Sequence, residues 1–130
     1  MSNKKPHQSK HSEDALENLM KLPKKNLEQR VARLQTEIAT RENLTRQLLS
    51  EWGTKQARLE DRIDRLCYTS MLPTGFQSKK DAETQILRLQ DLRTRELVGS
   101  FRDLLDLREK LETAEHELQN EKQKLKLLDS

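Results

Sequence analysis

The chain has 130 residues, of which 32% are hydrophobic, 36% charged and 3% aromatic, and its 25 basic and 22 acidic side chains leave a formal net charge of +3. An apolar complement this small, with 23 leucines, excludes the thick core of a globular enzyme domain, and nearly cancelling charge argues against a self-repelling disordered chain. What remains is a thin seam between helices. The expected fold class is all-α: two long helices joined by a Pro-Gly turn, an antiparallel coiled-coil hairpin that oligomerises or joins a helical bundle.

Residues 1–12 hold Lys4, Lys5, Pro6, His7, Lys10 and His11 without an apolar pattern, and they read as a disordered basic tail. Ser12 is placed to cap a short amphipathic helix over 13–22, with Glu13 and Asp14 in its first turn and Leu16, Leu19 and Met20 on one side. Pro23 ends that helix or starts the next, because proline is welcome only in a first turn.

Over 23–70 the apolar residues recur at three- and four-residue steps: Leu27, Val31, Leu34, Ile38, then Leu44, Leu48, Leu49, Trp52, then Leu59, Ile63, Leu66. That is helical periodicity, not strand alternation. A register with Val31 and Ile38 at position a cannot also place Ile63 at a, so a stutter is expected between about Arg41 and Leu49. Acid-first pairs at i,i+4 support the solvated faces of both helices: Glu37 with Arg41, Glu42 with Arg46, Glu51 with Lys55, Asp61 with Arg65, Asp91 with Arg95 and Asp106 with Lys110.

Residues 71–77, Met71-Leu72-Pro73-Thr74-Gly75-Phe76-Gln77, predict a turn with Pro73 and Gly75 as its hinge. Ser78, with Asp81 three residues on, resembles a capping box and opens a second helix over 78–128, leaving 129–130 as a tail. Its last half carries the strongest repeat in the chain. Leu97, Leu104, Leu111, Leu118 and Leu125 stand seven apart, with Leu107, Ala114 and Leu128 at d and the polar exceptions Ser100 and Glu121, which fix register at a local cost.

Equal arms about the turn bring Trp52 level with about Glu96 to Ser100, so Gly53 and Gly99 mark either a packing site for the indole over Gly99-Ser100 or a coincidence of spacing. The seam is too thin to offset the ordering of so many residues. A second copy or other helical chains are therefore expected, completing a three- or four-helix bundle. The partner-binding residues are expected to be the heptad leucines Leu97, Leu104, Leu107, Leu111, Leu118, Leu125 and Leu128, together with the off-seam Leu49, Leu87, Leu92, Leu105 and Leu127.

No chemistry-bearing motif appears: no Gly-rich phosphate loop, no cysteine pair for zinc, and no nucleophile with a nearby base. His7 and His11 are four apart but lack a third ligand, and His116 stands between Glu115 and Glu117 on an exposed face. No enzyme, cofactor or metal site is expected. The N-terminus lacks the apolar core of a signal peptide, no stretch approaches a membrane span, and Cys67 is alone, so a reducing setting is expected, either cytoplasmic, with cytoskeletal association open to it, or nuclear.

A leucine zipper invites comparison with basic-zipper transcription factors, but residues 78–96 interleave Asp81, Glu83, Asp91 and Glu96 with the basic ones, and carboxylates oppose phosphate contact. Nucleic acid is thus the less favoured partner. Small chains rich in Leu, Glu, Lys and Arg look like structural or adaptor subunits of spindle, centrosome, kinetochore or vesicle-tethering assemblies. The alternative is a dimeric nucleic-acid-associated protein with a basic N-terminal tail, reinforced by Lys21, Lys24 and Lys25, that contacts acidic surfaces weakly.

Overall fold

The computed structural model describes residues 4–66 and 73–129, with side chains over 13–66 and 75–129. All of this is helix: α1 (Lys4–Leu66) and α2 (Pro73–Asp129). The two pack against each other as an all-α helical hairpin. Cross-helix hydrogen bonds fix the antiparallel sense, because Arg41 and Thr45 meet Glu96, Ser100 and Asp103 whereas the later Gln56 meets the earlier Arg93.

Contacts cluster into two units, Met1–Glu37 with Asp106–Ser130, and Ile38–Leu105. In the first, Leu27, Val31 and Leu34 of α1 share the seam with Leu107, Leu111, Ala114, Leu118 and Leu125 of α2, and Leu34 and Ala114 are its buried residues. This seam follows the heptad repeat that the leucines announce. Glu121, at a d position, is half-buried, with Lys124 3.5 Å away.

In the second unit α1 turns Ile38, Arg41, Thr45, Leu48, Trp52, Gln56, Leu59, Ile63 and Leu66 inward, and α2 answers with Ala82, Ile86, Leu89, Arg93, Glu96, Ser100 and Leu104. These positions alternate steps of three and four except at Leu48-Trp52-Gln56 and Glu96-Ser100-Leu104, where two steps of four follow each other. Such a double step is a stutter, which locally unwinds a coiled coil. The one on α1 lies slightly later than the Arg41–Leu49 interval expected from the leucines, and the one on α2 is centred on Ser100, which meets Thr45 at 2.8 Å.

Several boundaries differ from the sequence expectation, each for a local reason. Residues 4–12 belong to α1 and are not a disordered tail, since extending an existing helix avoids the nucleation cost that a separate segment would meet. Nor do 13–22 form a helix of their own capped by Ser12: Pro23 lies inside α1. It sacrifices one backbone hydrogen bond, but strong helix formers flank it on both sides.

The expected 71–77 turn gives way to helix from Pro73, the position where a missing N–H costs nothing. Gly75, expected in the hinge, sits in that first turn, and among the described residues no glycine has positive φ. Ser78 therefore lies within α2 and does not cap it. Cys67 and the 67–72 connection lie outside the described residues.

Of the expected i,i+4 pairs, Asp61 with Arg65, Asp91 with Arg95 and Asp106 with Lys110 form, each a small surface contribution. Arg41 instead turns across the seam, and Arg46 bonds Asn43 at 3.1 Å. The indole of Trp52 does not cover Gly99: a Cβ there would meet only the Arg41 guanidinium, at 3.8 Å, and one at Gly53 would meet nothing within 4 Å.

Candidate interaction surface

A polar layer interrupts the apolar seam of the second unit. Position 41 follows Ile38 by three and position 45 follows Arg41 by four, so helical phase alone delivers Arg41 and Thr45 to the seam. Arg41 Nη1 donates to Glu96 Oε1 at 2.5 Å and to Thr45 Oγ1 at 3.0 Å, while its Nε donates to Asp103 Oδ2 at 3.0 Å. The Thr45 hydroxyl lies 2.9 Å from Glu96 Oε1 and 2.8 Å from Ser100 Oγ.

A hydroxyl has one proton and two lone pairs. With the carboxylate as the strongest acceptor in reach, Thr45 donates to Glu96 and accepts from Arg41 and from the Ser100 hydroxyl. The side chains of Arg41 and Glu96 are 17% and 15% exposed, and Ser100 is 5% exposed. No described buried side-chain polar atom is left without a partner.

This arrangement shifts the titration of both charged members. Hydrogen bonds to Glu96 and then Asp103 raise Arg41 above the ordinary guanidinium value, against the opposing effect of burial. The bond from Arg41 holds Glu96 below its usual 4.5, assisted by Thr45 and opposed by burial. A carboxylate with a lowered folded-state value stabilises the fold above its ordinary value, and that stability is lost as pH falls through the depressed one. The urea midpoint, followed by circular dichroism from about pH 6 down to about pH 2.5, should therefore fall on acidification. Glu96→Gln should be less stable at neutral pH and show a smaller fall; an identical pH dependence in the variant would exclude Glu96 as the group responsible.

Opposite the seam, α2 carries a second apolar face. At about 100° per residue, Leu87, Val98 and Leu105 fall within about 20° of one line and Phe101 within about 40° of it. Leu89 and Ser100, which face α1, lie on the other side of the helix. Phe101 is 69% exposed and Val98 47%, and Leu87 and Leu105 are exposed as well. Thr94 lies on the same line, its hydroxyl already bonded to Gln90 O at 3.0 Å, so it needs no polar partner from elsewhere. Leu97 borders this face and is 53% exposed.

The leucines singled out from the sequence thus divide into two groups. Leu104, Leu107, Leu111, Leu118 and Leu125 are half-buried in the seam between α1 and α2, and Leu49 on α1, beside the inward Leu48, is half-buried too. Leu87, Leu92, Leu97, Leu105, Leu127 and Leu128 are exposed. Leu97 leaves the seam although it stands seven residues before Leu104, because Glu96 and Ser100 occupy that level and the double step of four rotates Leu97 outward.

Arg41, Thr45, Glu96 and Val98 were not legible as site residues, although polar residues in apolar phase at 41 and 45 were the available signal. Pro73 and Gly75, expected as a hinge, lie in the first turn of α2.

In the first unit, Lys21, Lys24 and Lys25 of α1 line one groove with Lys122 and Lys126 of α2, where Glu28 and Asp129 are the carboxylates. Within this group Lys24 pairs with Glu28, at 3.7 Å. Among the described residues no cluster of metal-ligating side chains occurs, and no helix is long and apolar enough to cross a membrane. No protein-family model matches the chain, and no curated protein or solved structure is significantly similar to it.

Proposed function

We propose that this chain is a non-enzymatic coiled-coil subunit or adaptor, which uses the exposed face of α2 to hold a helical partner within a multi-protein assembly of the spindle, centrosome, kinetochore or vesicle-tethering kind in the cytoplasm or nucleus. The observation that carries the reading is the apolar face of Leu87, Leu97, Val98, Phe101 and Leu105, exposed on a helix whose other side is already occupied by α1. Burying each such side chain is worth about 1.5–3 kcal/mol. A third helix laid along them would complete a bundle. Affinity purification of the full chain from its native cell, with stoichiometry measured, tests the proposal; recovery of the chain alone, as a stable monomer, would refute it.

A second reading draws support from the five lysines that α1 and α2 bring to one groove. Five lysines gathered with two carboxylates leave an excess of positive charge that favours a polyanion, and nucleic acid is the form this reading takes. Filter binding of duplex DNA over a salt series decides it. Contact by several of these lysines predicts a steep loss of affinity between about 50 and about 200 mM salt, and Lys122→Glu with Lys126→Glu should abolish binding.

A further inference from the structure

The partner's chemistry follows from what borders the exposed face of α2. Arg88, Arg95 and Arg102 stand seven residues apart, which places them in one row beside Leu87, Val98, Phe101 and Leu105. All three are exposed. Arg95 has an ion pair with Asp91 at 3.0 Å, and among the described residues Arg88 and Arg102 make none. The other border of the face holds Gln90, Leu97 and Leu104, which carry no charge. Resting on the adaptor reading above, we infer that the helix covering this face comes from a different chain and presents carboxylates at seven-residue intervals to Arg88, Arg95 and Arg102.

Two observations set a second copy aside. Packed against its own image in antiparallel fashion, this face would bring arginine row against arginine row. Packed in parallel, it would set the arginines against the uncharged Gln90, Leu97 and Leu104. Nor does another segment of a second copy supply the complement, since nowhere in the 130 residues do three carboxylates stand at i, i+7 and i+14. The nearest approach, Glu96 and Asp103, is followed by Lys110, and both carboxylates already bind Arg41. Flanking charge of this kind selects partners by repelling the wrong ones as much as by attracting the right one.

The test uses the full chain and two synthetic helical peptides of three heptads, with identical leucine seams and either glutamate or lysine at the flanking positions. Fluorescence anisotropy at low salt should show the glutamate peptide binding at least tenfold more tightly than the lysine peptide, with the ratio shrinking as salt screens it. Arg88→Ala, Arg95→Ala and Arg102→Ala together should erase the preference, and the three glutamate replacements should invert it; the alanine variant, made with the strongest helix former, guards against loss of fold. Equal binding of both peptides that is lost in Phe101→Glu would overturn the charge inference and leave the adaptor reading standing. Binding of neither peptide, or binding indifferent to Phe101→Glu, would overturn both, and a dimer of the free chain that Phe101→Glu dissociates would replace the foreign helix with a second copy.

Discussion

Arg41→Leu alone should cost about 2–3 kcal/mol of unfolding free energy, and Arg41→Leu combined with Glu96→Leu should return most of it. The single change leaves Glu96 facing the seam without its cation, and stranding one member of a buried ion pair costs about 3–5 kcal/mol. The side chains here keep 17% and 15% of their exposure, which moderates that figure. Replacing both members by leucine exchanges a desolvated pair for apolar contact, a trade often neutral or stabilising.

The double variant should lose something else. With Arg41 and Glu96 gone, the layer that matches one level of α1 to one level of α2 is apolar like its neighbours, and alternative registers come closer in energy. Urea unfolding by circular dichroism reads the stabilities, and a spin-label distance measured across the second unit reads the register. If the double variant were as unstable as the single, the pair would not be the source of the loss.

Val98→Glu with Phe101→Glu should leave the helicity and unfolding midpoint of the isolated chain within about 0.5 kcal/mol of the parent and weaken partner binding at least about a hundredfold. Both side chains are exposed, so the fold does not depend on them. In an assembly each would be covered, and losing two such contacts removes about 3–6 kcal/mol before any penalty for burying the new carboxylates. The contrasting pair is Leu104→Asp with Leu111→Asp. Those leucines are half-buried between α1 and α2, so their replacement should unfold the hairpin and lose the partner only as a consequence. Co-purification and melting measured on both pairs separate a docking surface from a folding seam.

The heptad leucines announced two helices and the seam of the first unit, because an apolar residue every seven positions has one physical solution in water. What they could not announce was which stretches of that pattern the other helix would consume. Leu97 and Leu104 look equivalent in one dimension; the stutter separates them, and its position on α2 follows from Arg41 choosing Glu96 and Asp103 over Glu37. That choice depends on tertiary proximity, to which local spacing is blind. Pro23 and Gly75 mislead for the related reason that residue preferences are local and small, and neighbouring helix formers or a first-turn position outweigh them.

The double steps at Leu48-Trp52-Gln56 and Glu96-Ser100-Leu104 constrain how this gene can change length. Removing one codon within the first of them would swing every later inward residue of α1 by about 100°, pointing Leu59, Ile63 and Leu66 at water. Gains or losses of a whole heptad keep the phase, and a change of four on one helix calls for a compensating change of four on the other. Trimming or lengthening of this hairpin is therefore expected to occur in paired blocks, whereas point replacement on its outer faces proceeds freely.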